Sequence, residues 1–307
     1  MPSLQSRVMI SLIQRMNIFG AEAIDPVAMR DRAEKATART KPPRGVRRVD
    51  VLAGGVPGEW LIPNGAPADR VVLYLHGGAW FLGSTNTHRR LTGALAKKAG
   101  VRVLVINYRL APEHPFPAAL EDCQAAYEWL LSTGIRPENL VLAGDSAGGN
   151  LALALLVALR DQGKPLPAGA VGFSPATDLT GSGESYQTRK KLDPYFRNMT
   201  KGSISRDYLG EADPHQPLLS PLFADLAGLP PLLLQVGDRE ILLDDSLRFA
   251  DKARQAGVEV QLEVWEGMFH VFQLYADFLP EARKAIAHTA EFIRTRMGVK
   301  SGMEKGS

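Results

Sequence analysis

The sequence predicts an α/β fold: a mostly parallel sheet of about eight strands, covered by helices on both faces and carrying a small helical cap. Three observations lead there. Continuous apolar runs recur along the chain, and runs of helical periodicity alternate with them. One apolar run, Leu140-Val141-Leu142, continues through Ala143-Gly144-Asp145-Ser146-Ala147-Gly148 directly into an Ala/Leu-rich helical stretch. A polar, broken segment at 180–216 then interrupts the alternation between two strands, as an insertion at the carboxyl end of a sheet would.

In chain order, residues 4–18 and 26–38 read as helices ahead of the Pro/Gly-rich link Lys41-Pro42-Pro43-Arg44-Gly45. Leu4, Val8, Leu12, Ile13 and Met16 fall at helical spacing, so the first helix has an apolar face that needs cover; a lid over the chain's own cleft is preferred to a membrane surface. Segments 46–52 and 59–62, around the turn 53–58, read as an antiparallel hairpin at a sheet edge. Strands are expected at 71–75, 101–106, 140–142, 170–173, 232–236 and 258–264. Helices are expected near 87–99, 117–132, 147–161, 244–256 and 281–296. Residues 299–307 read as a disordered tail.

A chain of 307 residues can form one large open-sheet domain, and a net charge of +3 gives no strong bias toward polyanions. The cluster Arg39, Lys41, Arg44, Arg47 and Arg48 has no interleaved aromatic residues and reads as a solvated linker face, not a nucleic-acid site. Cys123 alone forms no internal disulfide, suits a reducing compartment and sits at a buried helix position. Arg7, Gln14 and Arg15 break up the apolar opening, and no later run is long enough to span a bilayer; a soluble, cytoplasmic chain without integral membrane contact is expected.

The strand, Gly-x-Ser-x-Gly, helix sequence is the context of a nucleophile elbow, with Ser146 at the tip and the N–H of Ala147 unpaired at the helix start. His76-Gly77-Gly78-Ala79-Trp80 follows another strand. There the glycines let backbone N–H groups of Gly77 and Gly78 approach a developing oxyanion, whereas Ala79 stands where such loops carry a further glycine and its N–H is left out of the expected donors. Among six histidines, His76 belongs to this loop, His88 and His288 to polar helix faces, His114 to a Pro-rich loop, and His215 to the irregular segment; His270, on the loop after the last strand, fits a general base. The acid belongs to 236–245, where spacing leaves Asp238 and Glu240 level and assigns Asp244 and Asp245 to the next helix start. Three prolines fix an extended loop after Asn107, in which Arg109 and Glu113 can pair. Trp80, Phe81, Tyr195, Phe196, Met268 and Phe269, with Asp145, are candidate pocket walls.

These pieces together resemble the bacterial hormone-sensitive-lipase-like esterases, a group of α/β hydrolases. The resemblance rests on His76-Gly77-Gly78, Tyr108-Arg109-Leu110-Ala111-Pro112-Glu113, Gly144-Asp145-Ser146-Ala147-Gly148-Gly149, Ser174-Pro175-Ala176-Thr177-Asp178-Leu179, and the acid and histidine loops, over about 70–275. It implies an α/β-hydrolase domain at 46–298, cap helices at 1–45 and a cap insertion at 180–216. It also implies hydrolysis of short- to medium-chain acyl esters, no metal or other cofactor, and often a dimer through the last strand's edge. Members usually carry Asp-Pro-Leu at the acid site; aligned at the strand end, Asp falls on Glu240 and Pro on Ile241, which favours Glu240 and leaves Asp238 second. A non-catalytic binding protein of the same fold, like the plant gibberellin receptors that have lost the histidine, is the alternative from another class; an amidase, lactonase or carbamate hydrolase would use the same triad.

Overall fold

The computed structural model describes residues 2–19, 25–200, 202–203 and 205–299 and contains one eight-stranded sheet of order β1-β2-β4-β3-β5-β6-β7-β8. The strands are β1 (Val46–Ala53), β2 (Val56–Pro63), β3 (Val71–Leu75), β4 (Arg102–Ile106), β5 (Leu140–Asp145), β6 (Gly169–Phe173), β7 (Leu232–Gly237) and β8 (Val260–Trp265). β2 alone runs opposite to the other strands, and the hairpin turn is tighter than expected, with both residues between β1 and β2 being left-handed glycines, Gly54 and Gly55. Side chains alternate faces along each strand, which explains why the runs are apolar throughout. Leu73 and Leu75 join one core with helices α4 (Ala118–Ser132), α5 (Ala147–Asp161) and α8 (Leu243–Gln255). Val72 and Tyr74 join the other, beneath α3 (Thr85–Ala99) and α9 (Pro280–Met297).

The segments expected to form the cap are two separate parts of the chain. The first comprises α1 (Leu4–Met16) and α2 (Pro26–Thr37); the second is the insertion after β6, which holds only two one-turn helices, α6 (Ser185–Thr188) and α7 (Arg206–Leu209). They meet where Phe19 stacks on Phe196 at 5.3 Å and Asn198 Nδ2 donates to Asn17 Oδ1 at 2.7 Å. α2 is pinned to the body by Arg30, which donates to the carbonyls of Phe81 and Ala111 and to both carboxylate oxygens of Glu113. Glu113 is therefore not the partner of Arg109 expected from the sequence. Arg109 instead pairs with Asp122 and Glu121 on α4, because the proline-fixed loop turns Glu113 toward the cap.

The apolar face expected on α1 is in fact two. Ile13 is buried with Met268, Phe269 and Phe272, and Met9 and Ile10 pack against them. Leu4, Val8, Leu12 and Met16 are 73%, 45%, 47% and 67% exposed. At 3.6 residues per turn these four drift over about a third of the helix surface, and Ile13 and Ile10 take the part beyond with Met9 at the border, so no single flat contact covers both sets. Cys123 is buried as expected. Among the described residues no helix is long and apolar enough to cross a membrane. All of the expected tail except Val299 lies outside the described residues.

Candidate active site

Connections leave β3 and β5 toward opposite ends of the sheet, and the loops that follow these two strands meet at their carboxyl ends, where open α/β sheets bind ligands. The turn after β5 places Ser146 at φ 52°, ψ −117°, a conformation that side chains rarely adopt and that surrounding packing has to impose. Glycine makes the turn possible. A Cβ on Gly144 would stand 2.3 Å from the carbonyl oxygen of Gly148, and one on Gly148 would stand 2.0 Å from that of Leu75 on β3. Gly148→Ala is therefore expected to destabilise the fold by about 3 kcal/mol or more, read by chemical denaturation, because backbone and not a flexible side chain would have to move.

Ser146 Oγ lies 2.9 Å from His270 Nε2, and His270 Nδ1 lies 2.7 Å from Glu240 Oε2. The second carboxylate oxygen of Glu240 accepts the Gly237 N–H at 2.6 Å and the Ser174 hydroxyl at 2.8 Å, so the whole group is immobilised. Asp238 is turned elsewhere and accepts the Gly267 N–H at 2.8 Å, closing the turn between the acid and histidine loops. Burial pulls the imidazole of His270 down, but the hydrogen bond and charge of Glu240, with Asp193 and Asp145 beyond, carry it above the ordinary histidine value.

The loop after β3 departs from expectation at Gly77. Its N–H donates to Asp145 Oδ1 at 3.0 Å, so it braces the loop against the elbow and is not free for an oxyanion. The N–H groups of Gly78, Ala79 and Ala147 have no acceptor among the described residues. Beyond Gly78 the chain is left-handed at both Ala79 and Trp80, φ 55° and 60°, so the position without a glycine still takes a glycine-like turn. Asp145 also accepts the Tyr74 hydroxyl at 2.7 Å and faces His88 Nε2 at 3.3 Å. Burial resists its ionisation, yet His88, Tyr74 and Gly77 together hold its carboxyl below the usual range. His88, expected on a polar helix face, is instead buried in this cluster. His76 stacks on Tyr108 at 4.3 Å, and burial with His88 nearby lowers it to about 3, which keeps it neutral.

A cavity of about 260 Å³ lies between these loops and the cap, and Gly77, Gly78, Asp145, Ser146 and His270 line it. Of the candidate walls, Trp80, Tyr195 and Phe196 line the cavity too; Trp80 stacks on Tyr208 at 4.7 Å, and the Phe196 ring meets His270 edge-on at 5.0 Å. Phe81, Met268 and Phe269 do not line it. Phe81 is buried in the core beside Trp80, while Met268 and Phe269 are taken up by the inner face of α1. The walls that the sequence did not single out include Ile18, Phe19, Tyr186, Met199 and Ile241.

Two polar residues behind the cavity were given no role from the sequence. Ser174, directly after β6, holds Glu240, and its oxygen accepts the Val271 N–H at 3.2 Å. Asp193 is buried in the insertion; its carboxylate accepts N–H groups from Tyr195 at 2.9 Å, Phe196 at 3.2 Å and Ile241 at 2.9 Å, and so joins cap to acid loop. Burial raises it to about 6. A polar residue at the carboxyl end of a central strand could have flagged Ser174, but the irregular segment has no periodicity to flag Asp193. Asp244 and Asp245 do start α8, and they also anchor the insertion through the N–H groups of Ser185, Thr177 and Asp178.

Comparison with known proteins agrees with this geometry. A family model described as alpha/beta hydrolase fold matches residues 72–274. An acetyl-hydrolase of Streptomyces hygroscopicus is 46% identical over 269 residues, 87% of this chain and 88% of that protein. An esterase of Acinetobacter venetianus is 44% identical over 243 residues, 79% of this chain and 80% of that protein. The crystal structure of an esterase from the bacterial hormone-sensitive lipase family superposes with a TM-score of 0.91 at 44% identity, covering 97% of this chain and 100% of that one. The chain belongs to the alpha/beta hydrolase fold family, within the group of the bacterial hormone-sensitive-lipase-like esterases.

Proposed function

We propose that the protein is a carboxylic ester hydrolase working through an acyl-enzyme. The observation that carries this reading is the unbroken hydrogen-bonded series from Ser146 Oγ through His270 to Glu240 at the rim of an apolar cavity. Ser146 attacks the ester carbonyl while His270 takes its proton and then returns it to the departing alkoxide. Glu240 keeps the proton-bearing Nδ1 of His270 pointed at itself and steadies the imidazolium. The N–H groups of Gly78 and Ala147 receive the oxyanion, with that of Ala79 in place of the committed Gly77. Water, activated by the same imidazole, then frees the acid. A cavity of about 260 Å³ is small among ligand sites and supports short to medium acyl chains. Acetyl-hydrolase and esterase relatives support the same substrate class.

The test is a series of p-nitrophenyl esters from acetate to palmitate with matched anilides, alongside fluorophosphonate labelling of Ser146. The expected result is labelling at Ser146 and turnover that peaks at short or medium chains, with anilides far slower. A protein that neither labels nor hydrolyses any ester would be a binding protein. Because general-base action needs neutral imidazole, activity rises as pH climbs through the elevated His270 value and is lost below it. Removing the charge of Asp193 with Asp193→Asn is expected to lower that value and carry the acid limb of kcat to lower pH. An unmoved limb would mean that Asp193 does not face the imidazole electrostatically. A cytoplasmic location, supported by the lone buried Cys123, and a dimer paired along the edge strand β8 complete the proposal; sedimentation at twice the chain mass, lost with proline in β8, is the check on the latter.

A further inference from the structure

We propose that the outer face of α1, on a cap of net positive charge, docks on an anionic lipid surface and brings the cavity to esters held in that surface. The inference deepens the ester-hydrolase reading and rests on it for the nature of the substrate. Leu4, Val8, Leu12 and Met16 form a stripe of exposed apolar side chains along all of α1. Isolated exposed apolar residues are ordinary, whereas four in register on one helix mark a contact surface. The inner face of the same helix is already satisfied by Ile13 against Met268 and Phe269, so the stripe is surplus to the fold.

Charge selects the occupant. α1 carries Arg7 and Arg15 and no carboxylate, and the cap segments 1–45 and 180–216 together carry 14 basic residues against nine acidic ones, although the whole chain is nearly balanced at 36 basic and 33 acidic residues. Arg7, Arg15, Arg189, Lys190, Lys191 and Arg197 form no ion pair among the described residues. By helical geometry Arg15 sits within the stripe between Leu4 and Val8 in angle, and Arg7 lies at its margin. A second copy of the chain on this face would bury the Arg15 of both helices in an apolar seam with no acid on either α1 to answer them, a desolvation cost that disfavours self-association. An anionic lipid surface accepts both halves of the pattern: the apolar stripe enters the acyl boundary and the cations meet the headgroups.

Position links docking to turnover. α1 leads directly into Ile18 and Phe19, both on the cavity wall, and the insertion is tied to it by Phe19 against Phe196 and by Asn198 to Asn17. The surface that faces lipid is therefore the outside of the roof whose inside faces the ester.

The full-length protein is mixed with sucrose-loaded vesicles of phosphatidylcholine alone or with phosphatidylglycerol, at low and high salt, and the sedimented fraction is measured. Binding is expected to the anionic vesicles, at least tenfold weaker to phosphatidylcholine alone and weakened by salt. Combined Leu4→Gln, Val8→Gln, Leu12→Gln and Met16→Gln, or Leu12→Glu alone, is expected to reduce it at least tenfold while hydrolysis of a soluble acetate ester stays at the unsubstituted level. No binding to anionic vesicles, binding unchanged by the stripe substitutions, or stripe substitutions that halve the mass in solution would each overturn the proposal. Binding is read without turnover, so a protein that binds vesicles but cleaves no ester would refute the catalytic reading and leave docking standing.

Discussion

Ser146→Ala is expected to lower kcat toward a short-chain ester by on the order of 100,000-fold, to the residue of rate that binding and backbone donors sustain without a nucleophile. The side-chain oxygen touches one group, Nε2 of His270, and the turn itself is held by other bonds: Ser146 N–H to the Phe173 carbonyl and Asn150 N–H to the Ser146 carbonyl. Alanine meets the same left-handed backbone at φ 52° with the same Cβ, so the substitution adds no strain. Stability should stay within about 0.5 kcal/mol of the unsubstituted protein by denaturant titration. Fluorophosphonate labelling should vanish with turnover. Ester hydrolysis near the original level in a folded Ser146→Ala protein would remove this serine from the chemistry and leave the elbow without a role.

The second large effect is expected at the acid. Glu240→Gln should reduce kcat by about 1,000- to 10,000-fold. All of the carboxylate's partners donate to it: His270 Nδ1 on one oxygen, Gly237 N–H and Ser174 Oγ on the other. An amide has one acceptor oxygen and one donor nitrogen, so it must either set N–H against Gly237 N–H or offer N–H to His270 Nδ1. The second arrangement leaves the proton on Nε2, facing Ser146, where it cannot accept the hydroxyl proton. Asp238→Asn keeps an acceptor oxygen for Gly267 and should change kcat by no more than about threefold. The reverse order of effects would hand the role to Asp238.

The sheet was legible because every central strand is buried on both faces, which forces an uninterrupted apolar run, and because the alternating helices are long. The nucleophile was legible from its strand, turn and helix context, and His270 from its position after the last strand. Spacing could not separate Asp238 from Glu240: both leave the end of β7, and what distinguishes them is which donors converge, Gly237, Ser174 and His270 on one and Gly267 on the other. Met268 and Phe269 were misplaced for a related reason. Adjacency to His270 in the chain says nothing about which neighbour faces the cavity, and α1, far away in sequence, covers both. Asp193 and Glu113 lie in segments whose conformation is set by long-range partners, Ile241 for one and Arg30 for the other, and such segments carry no period to read.

The Phe19 and Phe196 stack joins two stretches of chain that lie outside every layer of the sheet, and the residues on either side of it line the cavity that holds Ser146. Exchange of these stretches would retune which acids the protein releases while the sheet, elbow and proton relay stay untouched, so this architecture lets new chemical tastes arise without putting the scaffold at risk.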